Sequence, residues 1–197
     1  MWQMKILYLM RHGETLFNRL HKKQGWCDSP LTELGMQQAL IAKKYFQEQG
    51  IQFDSAFCST AERASDTLEL LTDQPYTRLK GLKEWHFGRF EGQDEFLNPE
   101  QPYGDFFKQY GGEGESQVQE RLNQTLLEIM RSVSGERILV VSHATAMRAF
   151  MRLWQHTSEF APLERLSNCG ILRFAYEAEP ERFILQEIVE HDFSMLE

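Results

Sequence analysis

The sequence predicts an α/β protein of three layers, in which a mostly parallel central sheet is covered by helices on both faces. Two observations carry this prediction. Short apolar runs typical of buried strands alternate with longer segments of helical spacing, the pattern of parallel strands joined by crossover helices. The last two predicted strands are joined only by residues 177–182. That connection is too short for a parallel crossover, so we expect this pair to be antiparallel.

In the first half of the chain the two patterns are clearly separated. Residues 5–10 form a continuous apolar run, as expected for a strand that is buried on both faces. Apolar residues recur at helical spacing over 32–49, and Gly50 follows as a helix-ending residue. A short strand is predicted over 56–58 and another helix over 60–71, so the chain begins as strand, helix, strand, helix.

The middle of the chain is less regular than either end. Residues 81–114 contain seven of the thirteen glycines and many of the aromatic residues, which predicts an elaborated loop region. The regular pattern then resumes, with helices predicted over 115–133 and 144–155 and strands over 138–142, 170–176 and 183–189. The length of 197 residues, without repeats or linker-like stretches, predicts a single domain over 1–197.

Composition and charge exclude several classes of protein. The formal net charge is −8, which argues against a surface that binds nucleic acid non-specifically. No stretch approaches the roughly 18–20 apolar residues of a membrane span. The apolar run at Ile6–Met10 is too short for the core of a signal peptide. Cys27, Cys58 and Cys169 form no CxxC pair, so we expect reduced thiols in a cytoplasmic protein.

Two histidines follow predicted strands directly. His12 comes after the first strand and His143 after the strand at 138–142. Ligands of open α/β sheets bind beyond the carboxyl ends of the strands, so both residues lie where a site is expected. Either histidine alone could be an ordinary strand-end residue satisfied by the backbone. The two together favour a functional site.

Five segments of the chain resemble the histidine phosphatase superfamily, the phosphoglycerate-mutase-like proteins, and they occur in the order typical of that family. They are Arg11-His-Gly-Glu-Thr-Leu-Phe-Asn18, Gln24-Gly-Trp-Cys-Asp-Ser-Pro-Leu-Thr-Glu-Leu-Gly35, Cys58-Ser-Thr-Ala-Glu-Arg-Ala64, Leu82-Lys-Glu84 with Gly88 and Phe90-Glu-Gly92, and Val141-Ser-His143. The resemblance implies a phosphoglycerate-mutase-like fold and phosphoryl-transfer chemistry.

The residues in these segments suit that chemistry. Arg11 and Arg63 offer planar guanidinium groups that match the oxygens of a phosphate monoester. His12 can attack phosphorus through one ring nitrogen and form a phosphohistidine, which requires a neutral ring. Neighbouring arginines disfavour the imidazolium, so we expect them to lower the pKa of His12. A surface position for Arg63 on its helix is the alternative interpretation.

Further roles follow from the resemblance. It implies that His143 contacts the transferring phosphoryl group as a protonated donor. It also implies that Glu84 protonates the leaving oxygen and later deprotonates water. The residues that it assigns to substrate or phosphate binding are Gly13, Asn18, Gln24, Gly25 and Ala144, the last through its backbone N–H.

Some assignments stay open. Glu14, Glu91 and Glu95 are alternative proton donors near Glu84 in the sequence. Asp28 and Thr32 are interpreted as turn and helix-cap residues. The other histidines lack metal-ligand spacing and no phosphate-binding glycine loop occurs, so we expect neither a metal nor a cofactor.

The sequence favours a phosphomonoesterase that acts on a small phosphorylated metabolite over a phosphoglycerate mutase. Residues 92–135 are acidic, and their basic residues are only Lys108, Arg121 and Arg131. We therefore expect no cations for a second charged group on the substrate from that stretch. Mutases of the family have Gly-Asn after the late histidine, where this chain has Ala144-Thr145. A non-catalytic phosphate-binding protein is a third hypothesis.

The aromatic residues near the middle of the chain have two interpretations. They could form an apolar wall for the leaving group, or they could pack in an ordinary core. The residues concerned are Trp85, Phe87, Phe90, Phe106, Phe107 and Tyr110.

Overall fold

The computed structural model describes residues 4–196, which form one six-stranded sheet and its flanking helices. The strands are β1 (Lys5–Arg11), β2 (Ser55–Ser59), β3 (Thr77–Leu79), β4 (Arg137–Ser142), β5 (Ile171–Ala178) and β6 (Glu181–Val189). The helices are α1 (Leu16–Arg19), α2 (Glu33–Glu48), α3 (Glu62–Leu71), α4 (Glu115–Ser132) and α5 (Ala144–Leu153).

The sheet has the order β3-β2-β4-β1-β5-β6. The first four strands in this order are parallel to one another, whereas β5 runs antiparallel to both β1 and β6. The predicted α/β class and the antiparallel final pair are therefore confirmed. The tight link between β5 and β6 holds only two residues, so the chain must reverse there.

Both faces of the sheet are covered, because side chains of β1 alternate between two cores. Leu7 and Leu9 belong to the core beneath α4 and α5, and Tyr8 and Met10 belong to the core beneath α2 and α3. This alternation explains why the strand is continuously apolar from Ile6 to Met10. It also buries β1 in the middle of the molecule, so the residue that follows it is held firmly.

Helix caps at two positions match the sequence interpretation. The hydroxyl of Thr32 accepts a hydrogen bond from Gly35 N–H at 3.0 Å and so caps α2. The carboxylate of Asp28 accepts from Glu62 N–H at 2.6 Å at the start of α3. Both bonds satisfy donors that a helix leaves unpaired in its first turn.

The structure differs from the prediction at two short elements. β3 has three residues and α1 has four, and neither was expected from the sequence. Elements of this length span little more than one hydrophobic period, so tertiary contacts rather than patterning define them. Strand β3 forms by pairing with the edge of β2.

The loop region at 81–114 is irregular, as predicted, and its only helical segments are short 3₁₀ turns. Its aromatic residues are mainly core: Trp85 and Phe107 are fully buried and belong to the core beneath α4 and α5. No helix within residues 4–196 is long and apolar enough to cross a lipid bilayer.

Candidate active site

The two strand-end histidines meet at the carboxyl edge of the sheet. Strands β1 and β4 are neighbours and parallel, with Arg11 opposite Ser142, so His12 and His143 leave the sheet side by side. Their ring centroids lie 5.2 Å apart. The parallel pairing of two buried strands therefore creates the site that the sequence predicted.

His12 is held as a neutral ring with one nitrogen available. Its Nδ1 lies 2.7 Å from the carbonyl oxygen of Gly13, and because a carbonyl only accepts, Nδ1 carries the hydrogen. The Nε2 lone pair accepts a 3.3 Å hydrogen bond from Nε of Arg63. Burial, followed by the charges of Arg63 and Arg11, holds the pKa of His12 well below its ordinary value. The ring is therefore uncharged at neutral pH.

Arg63 is a buried residue, so the interpretation of it as a surface charge is wrong. One terminal nitrogen donates to the carbonyl of Cys27 at 3.0 Å and to the carboxylate of Asp28 at 2.8 Å. The other donates to the carbonyl of Gly25 at 2.9 Å. Three partners on one loop fix the guanidinium plane and leave Nε directed at His12.

Arg11 retains an unused donor beside His12. Its Nη1 donates to the carbonyl of Leu166 at 2.6 Å, whereas its Nε is buried without a partner among residues 4–196. Burial lowers the pKa of the guanidinium to about 10, partly offset by the charge of Glu84, so the group stays cationic at neutral pH. An unpaired buried donor is costly, and an anion bound in front of His12 would satisfy it.

Glu84 lies at the N-terminus of α5. Its Oε1 accepts from the N–H groups of Trp85 at 2.8 Å and Ala146 at 2.7 Å. Within residues 4–196, its Oε2 accepts only from Thr145 N–H, at 3.0 Å. These bonds place a buried carboxylate on the wall of the cavity in front of His12, with Oε2 less occupied than Oε1.

The alternative carboxylates are placed differently. Glu91 accepts backbone N–H bonds from Gly25, Trp26, Cys27 and Phe87, and it does not line the cavity. Burial by itself would raise the pKa of Glu91, but its hydrogen bonds, from Cys27 first, outweigh burial and lower it. Glu91 therefore fixes the loop at residues 25–27, and the carbonyls of this loop bind Arg63.

Glu14 and Glu95 do line the cavity. The carboxylate of Glu14 is engaged by the hydroxyl of Thr32 at 2.6 Å and by Arg19 at 3.2 Å. Glu95 lies 3.9 Å from a ring nitrogen of His21. Neither is held by backbone N–H groups at the start of a helix in the way that Glu84 is.

His143 differs from its expected charge state. Burial, and then the charges of Arg63 and His12, lower the pKa of His143 well below its ordinary value, so the ring is neutral in the ligand-free protein. Its Nε2 lies 2.7 Å from the hydroxyl of Ser59, which also accepts from Ala61 N–H at 3.2 Å.

Because Ser59 Oγ already accepts one bond, its hydrogen is free to point at His143 Nε2. In the tautomer in which Ser59 donates to Nε2, the ring hydrogen lies on Nδ1, which is buried and has no partner among the described residues. A neutral His143 can therefore still donate a hydrogen bond to a phosphoryl oxygen. The expectation of a donor is retained, but the expectation of a protonated ring is wrong for the free protein.

A cavity of about 350 Å³ opens in front of His12. The sequence-predicted residues that line it are Arg11, His12, Asn18, Gln24, Glu84 and Ala144. Arg63 and His143 are not among the lining residues, but both lie against the ring of His12. The remaining two, Gly13 and Gly25, lie outside the lining.

Both glycines are required by close packing rather than by contact with the cavity. A Cβ at Gly13 would collide with the carbonyl of Gly35, and a Cβ at Gly25 would collide with the carbonyl of Trp85. The N–H of Gly25 is taken by Glu91. The assignment of Gly13 and Gly25 as direct phosphate contacts is therefore corrected: they let neighbouring loops approach the site.

Asn18, Gln24 and Ala144 keep different amounts of free hydrogen-bonding capacity. Asn18 Oδ1 accepts from Thr15 N–H at 3.1 Å, which leaves its Nδ2 without a partner in the described part of the chain. Ala144 begins α5, so its N–H has no acceptor within the helix and faces an anion favourably. The carbonyl oxygen of Gln24 is occupied by the hydroxyls of Thr15 and Ser29.

Sequence reasoning missed several polar residues of the cavity. They are Lys22, Lys23, Gln101, Thr145, Arg148, Glu164, Arg165 and Asn168. The cations among them lie outside residues 92–135, so the argument that cations for a second charged group are lacking is wrong. Of these residues, only Arg148 could have been predicted from the sequence. It lies about one turn into the predicted helix that follows His143, and so close to the predicted site.

No group of three or more His, Cys, Asp or Glu side chains within residues 4–196 is arranged to hold a metal ion. The positive charges around His12 come from arginine and lysine side chains.

Comparison with known proteins agrees with this geometry. The family model described as histidine phosphatase superfamily (branch 1) matches residues 7–188. A 2,3-bisphosphoglycerate-dependent phosphoglycerate mutase of Methylorubrum populi is 32% identical over 167 residues, which are 75% of this chain and 77% of that protein.

Solved structures share the fold at lower identity. A phosphoglycerate mutase from Bacillus anthracis has a TM-score of 0.83 at 22% identity, covering 94% of this chain and 93% of that chain. A phosphoserine phosphatase from Entamoeba histolytica, in complex with 3-phosphoglyceric acid, has a TM-score of 0.75 at 27% identity, covering 95% and 98%. A mycobacterial glucosyl-3-phosphoglycerate phosphatase has a TM-score of 0.76 at 22% identity, covering 92% and 97%. With a family match that spans nearly all of the sheet and both strand-end histidines, the chain belongs to the histidine phosphatase superfamily (branch 1).

Proposed function

We propose that this protein is a phosphomonoesterase that hydrolyses a small phosphorylated metabolite through a phosphohistidine at His12. The observation that carries the proposal is the state of this ring. It is buried and neutral, its hydrogen is fixed on Nδ1 by the carbonyl of Gly13, and its Nε2 lone pair faces Nε of Arg63. This is a nucleophile that is ready to attack an anion without first losing a proton.

In the first half-reaction, Nε2 of His12 forms a bond to phosphorus while the bond from phosphorus to the leaving oxygen breaks. The protonated carboxyl of Glu84 gives its proton to the leaving oxygen, so an alcohol departs. Arg11 and the Nδ1–H of His143 stabilise the charge on the equatorial oxygens. The carbonyl of Gly13 stabilises the positive charge that develops on the ring.

In the second half-reaction, the carboxylate of Glu84 takes a proton from water, and the water oxygen bonds to phosphorus. The bond between phosphorus and Nε2 of His12 breaks. Inorganic phosphate leaves, and both the neutral ring and the protonated carboxyl are restored. The cavity lining is largely charged and amide side chains, which suits a site that admits water.

Phosphoglycerate mutase is the second candidate, and two observations favour it. The Methylorubrum populi relative bears that name, and Lys23 and Arg148 supply cations that a bisphosphate would need. Ala144-Thr145, where mutases have Gly-Asn, supports hydrolysis instead. The two candidates share the first half-reaction and differ in whether water or a second substrate oxygen accepts the phosphoryl group.

Two assays separate these functions. Phosphate release from p-nitrophenyl phosphate and from 3-phosphoglycerate is expected for the phosphatase. Isomerisation of 3-phosphoglycerate in the presence of catalytic 2,3-bisphosphoglycerate, at a rate exceeding phosphate release, would instead identify a mutase. No turnover in either assay would support a phosphate-binding protein without activity.

The nucleophile is tested in the same assays. Replacing His12 with Ala should lower turnover by about 10³-fold or more, because the attacking nitrogen is removed. His156→Ala is the matched control, since His156 is exposed and does not line the cavity. Acid-labile, base-stable phosphate on a peptide that contains His12 should be trapped in the unaltered protein. Label on a serine or cysteine would contradict the mechanism.

A further inference from the structure

Lys23 occupies an unusual position for a lysine. Its side chain is only 3% exposed, yet it lines the cavity. The Nζ lies over three aromatic rings, at 4.0 Å from the centroid of Phe87, 4.5 Å from Phe107 and 4.7 Å from Tyr103. No hydrogen-bond acceptor and no ion-pair partner for this Nζ is found among residues 4–196. The direct contacts of the ammonium are therefore ring faces, and the carboxylates of Glu84, Glu95 and Glu91 act on it without pairing with it.

The backbone fixes this lysine in place. Lys23 N–H donates to the carbonyl of Gln93 at 2.7 Å, and its carbonyl accepts from Gly92 N–H at 2.8 Å. The neighbouring Lys22 also lines the cavity, but it pairs with Asp94 at 2.5 Å. Two adjacent lysines thus have different partners, and only one of them is left without a counter-ion.

Lys23 and Arg148 are linked along the cavity wall. The Nζ of Lys23 lies over the ring of Tyr103, the hydroxyl of Tyr103 accepts from Gln101 Nε2 at 3.4 Å, and Gln101 Oε1 accepts from Arg148 Nη1 at 2.7 Å. All four residues line the same cavity as His12.

Arg148 reinforces this part of the cavity. Its Nη1 is held by Gln101 Oε1 at 2.7 Å and by the carbonyl of Glu164, and its Nε by the carbonyl of Ala144 at 3.3 Å. The remaining Nη2 has only a long contact, 3.5 Å, to the hydroxyl of Thr145. One edge of a rigid guanidinium is therefore nearly free on the cavity wall.

We propose that Lys23 and Arg148 form a second anion subsite, and that the preferred substrate is a small phosphate monoester that carries another anionic oxygen group. This inference rests on the proposed function, and it specifies which substrates that site prefers. A poorly hydrated ammonium forms a strong charge-assisted hydrogen bond with an entering anion, because little water has to be displaced from it. A cavity of about 350 Å³ accommodates a small molecule with two charged ends.

The aromatic residues gain a role from this arrangement. Phe87, Tyr103 and Phe107 surround the lysine rather than forming an apolar wall for a leaving group. They also pack against one another and against Trp85 in the core. The recognition lysine is thus built onto the core, which fixes its position.

The test compares two substrates that differ only in the second group. 3-Phosphoglycerate carries a carboxylate where glycerol 3-phosphate carries a neutral hydroxymethyl group. The unaltered protein should favour 3-phosphoglycerate in kcat/KM by about 10-fold or more. In Lys23→Met this preference should fall by about 10- to 100-fold, mainly through KM, while turnover of p-nitrophenyl phosphate changes less than about 3-fold.

Lys80→Met is the matched control. Lys80 also lies over an aromatic ring, with its Nζ 5.2 Å from Trp26, but it is exposed and does not line the cavity. The same substitution there should leave the preference unchanged. Loss of the preference in both variants would overturn the second subsite. So would the absence of any preference in the unaltered protein, a result that does not depend on whether Lys23→Met folds.

Binding measured without turnover separates this inference from the proposed function. Calorimetric titration of His12→Ala with the same two ligands should show tighter binding of 3-phosphoglycerate, and Lys23→Met in that background should abolish the difference. If the unaltered protein hydrolyses nothing but the binding difference is present, the proposed function fails and the subsite stands. Hydrolysis of both ligands with equal kcat/KM and equal affinity would leave the phosphatase intact and remove the subsite.

The pH dependence of KM provides a further readout. Burial lowers the pKa of Lys23 to about 8. As the pH rises through about 8, the free protein loses this positive charge, so KM for 3-phosphoglycerate should rise while KM for glycerol 3-phosphate stays nearly constant. Lys23→Met should remove that difference. The charged or titratable groups that surround this ammonium are Glu84, Glu91, Glu95, Tyr103 and Arg148.

Discussion

The two ends of the cavity hold their functional groups in different ways. At the nucleophile end, defined by His12, Arg63 and His143, side chains are fixed by backbone carbonyls, a loop carboxylate and a serine hydroxyl close to the sheet. At the recognition end, defined by Lys23 and Arg148, a lysine is surrounded by aromatic rings and an arginine is held by loop residues.

This difference has a physical origin. Phosphoryl transfer needs a fixed lone pair and fixed donors, and buried strands that end side by side provide them with little motion. Recognition of a second group on the substrate needs a nearby cation, and a residue on any neighbouring loop can supply one. The four predictions below test how sharply the two ends are separated, beginning with Glu84.

The largest effect is expected from Glu84→Gln. It removes the titratable proton and keeps the size of the side chain, so transfer from an alkyl phosphate should slow by about 10²–10⁴-fold. Transfer from p-nitrophenyl phosphate should slow much less, because p-nitrophenolate leaves without a proton. Hydrolysis of the phosphohistidine needs the same carboxylate for both substrates, so stopped-flow kinetics should show a burst of p-nitrophenol.

Glu91→Gln is the control for this experiment. Glu91 binds four backbone N–H groups away from the cavity, so its replacement should lower stability and leave the dependence on leaving group unchanged. Equal, small losses with both substrates in Glu84→Gln, without a burst, would contradict its role as the proton donor.

Asp28→Asn tests how the nucleophile end is held. Asp28 binds Arg63 Nη1 and caps the first turn of α3, so loss of its charge should lower kcat/KM by about 10-fold and the free energy of unfolding by about 1–2 kcal/mol. Asp94→Asn removes an exposed pair with Lys22 and should cost less than about 1 kcal/mol. Urea denaturation and steady-state kinetics on both variants measure these differences. Equal destabilisation by the two substitutions would show that the bonds of Asp28 to Arg63 and to α3 do not stabilise the protein more than an ordinary surface ion pair does.

Ser59→Ala tests the hydrogen position on His143. Without the hydroxyl, His143 Nε2 loses its partner and the ring hydrogen is free to move from Nδ1, so kcat should fall by about 10-fold with little change in KM. Ser59→Thr retains a hydroxyl and should restore most of the activity. Nitrogen-15 NMR of the imidazole should show hydrogen on Nδ1 in the unaltered protein and a mixture in Ser59→Ala. A purely structural role of Ser59 would lower stability without changing this tautomer.

The smallest effect concerns stability and pH. His12 and His143 are neutral when folded and have pKa values well below the ordinary value, whereas the unfolded chain binds protons below about pH 6.5. The unfolded state therefore holds more protons in this range, and stability falls as the pH decreases, by about 1.4 kcal/mol for each such histidine over the two units from pH 7.5 to pH 5.5. Urea denaturation between pH 7.5 and 5.5 should show this slope.

His143→Gln should reduce the slope, whereas His156→Gln, at an exposed position, should not. A slope that is the same in His143→Gln and in the unaltered protein would mean that the ring is not neutral when folded. That result would restore the original expectation of a protonated donor at the nucleophile end.

The sequence predicted the nucleophile end more completely than the recognition end. His12 and His143 each follow a strand directly, and parallel pairing of those strands brings them together, so local pattern was enough. The positions of Glu84 and Glu91 could not be separated in this way, because both lie in an irregular segment. Only the structure shows one carboxylate at the N-terminus of α5 and the other bound to a loop.

Other features were invisible in the sequence for related reasons. Gly13 and Gly25 resemble phosphate-contact glycines, but the contacts that require them come from residues that are distant along the chain. The charge of His143 depends on burial and on two neighbours from other elements. Each of these properties depends on distances between segments, which no local pattern encodes.

By itself the sequence determined the α/β class, the antiparallel final pair and the residue types around the nucleophile, because strand periodicity, link length and side-chain chemistry are local. Tertiary structure alone decided that Lys23 lies unpaired among Phe87, Tyr103 and Phe107, and that Arg148 lines the same cavity. These residues come from separate segments, and they meet only because the irregular region at 81–114 folds back over the carboxyl edge of the sheet. The position of a charged side chain in a cavity depends on that long-range packing. The proposed preference for a substrate with a second anionic group therefore depends on it too.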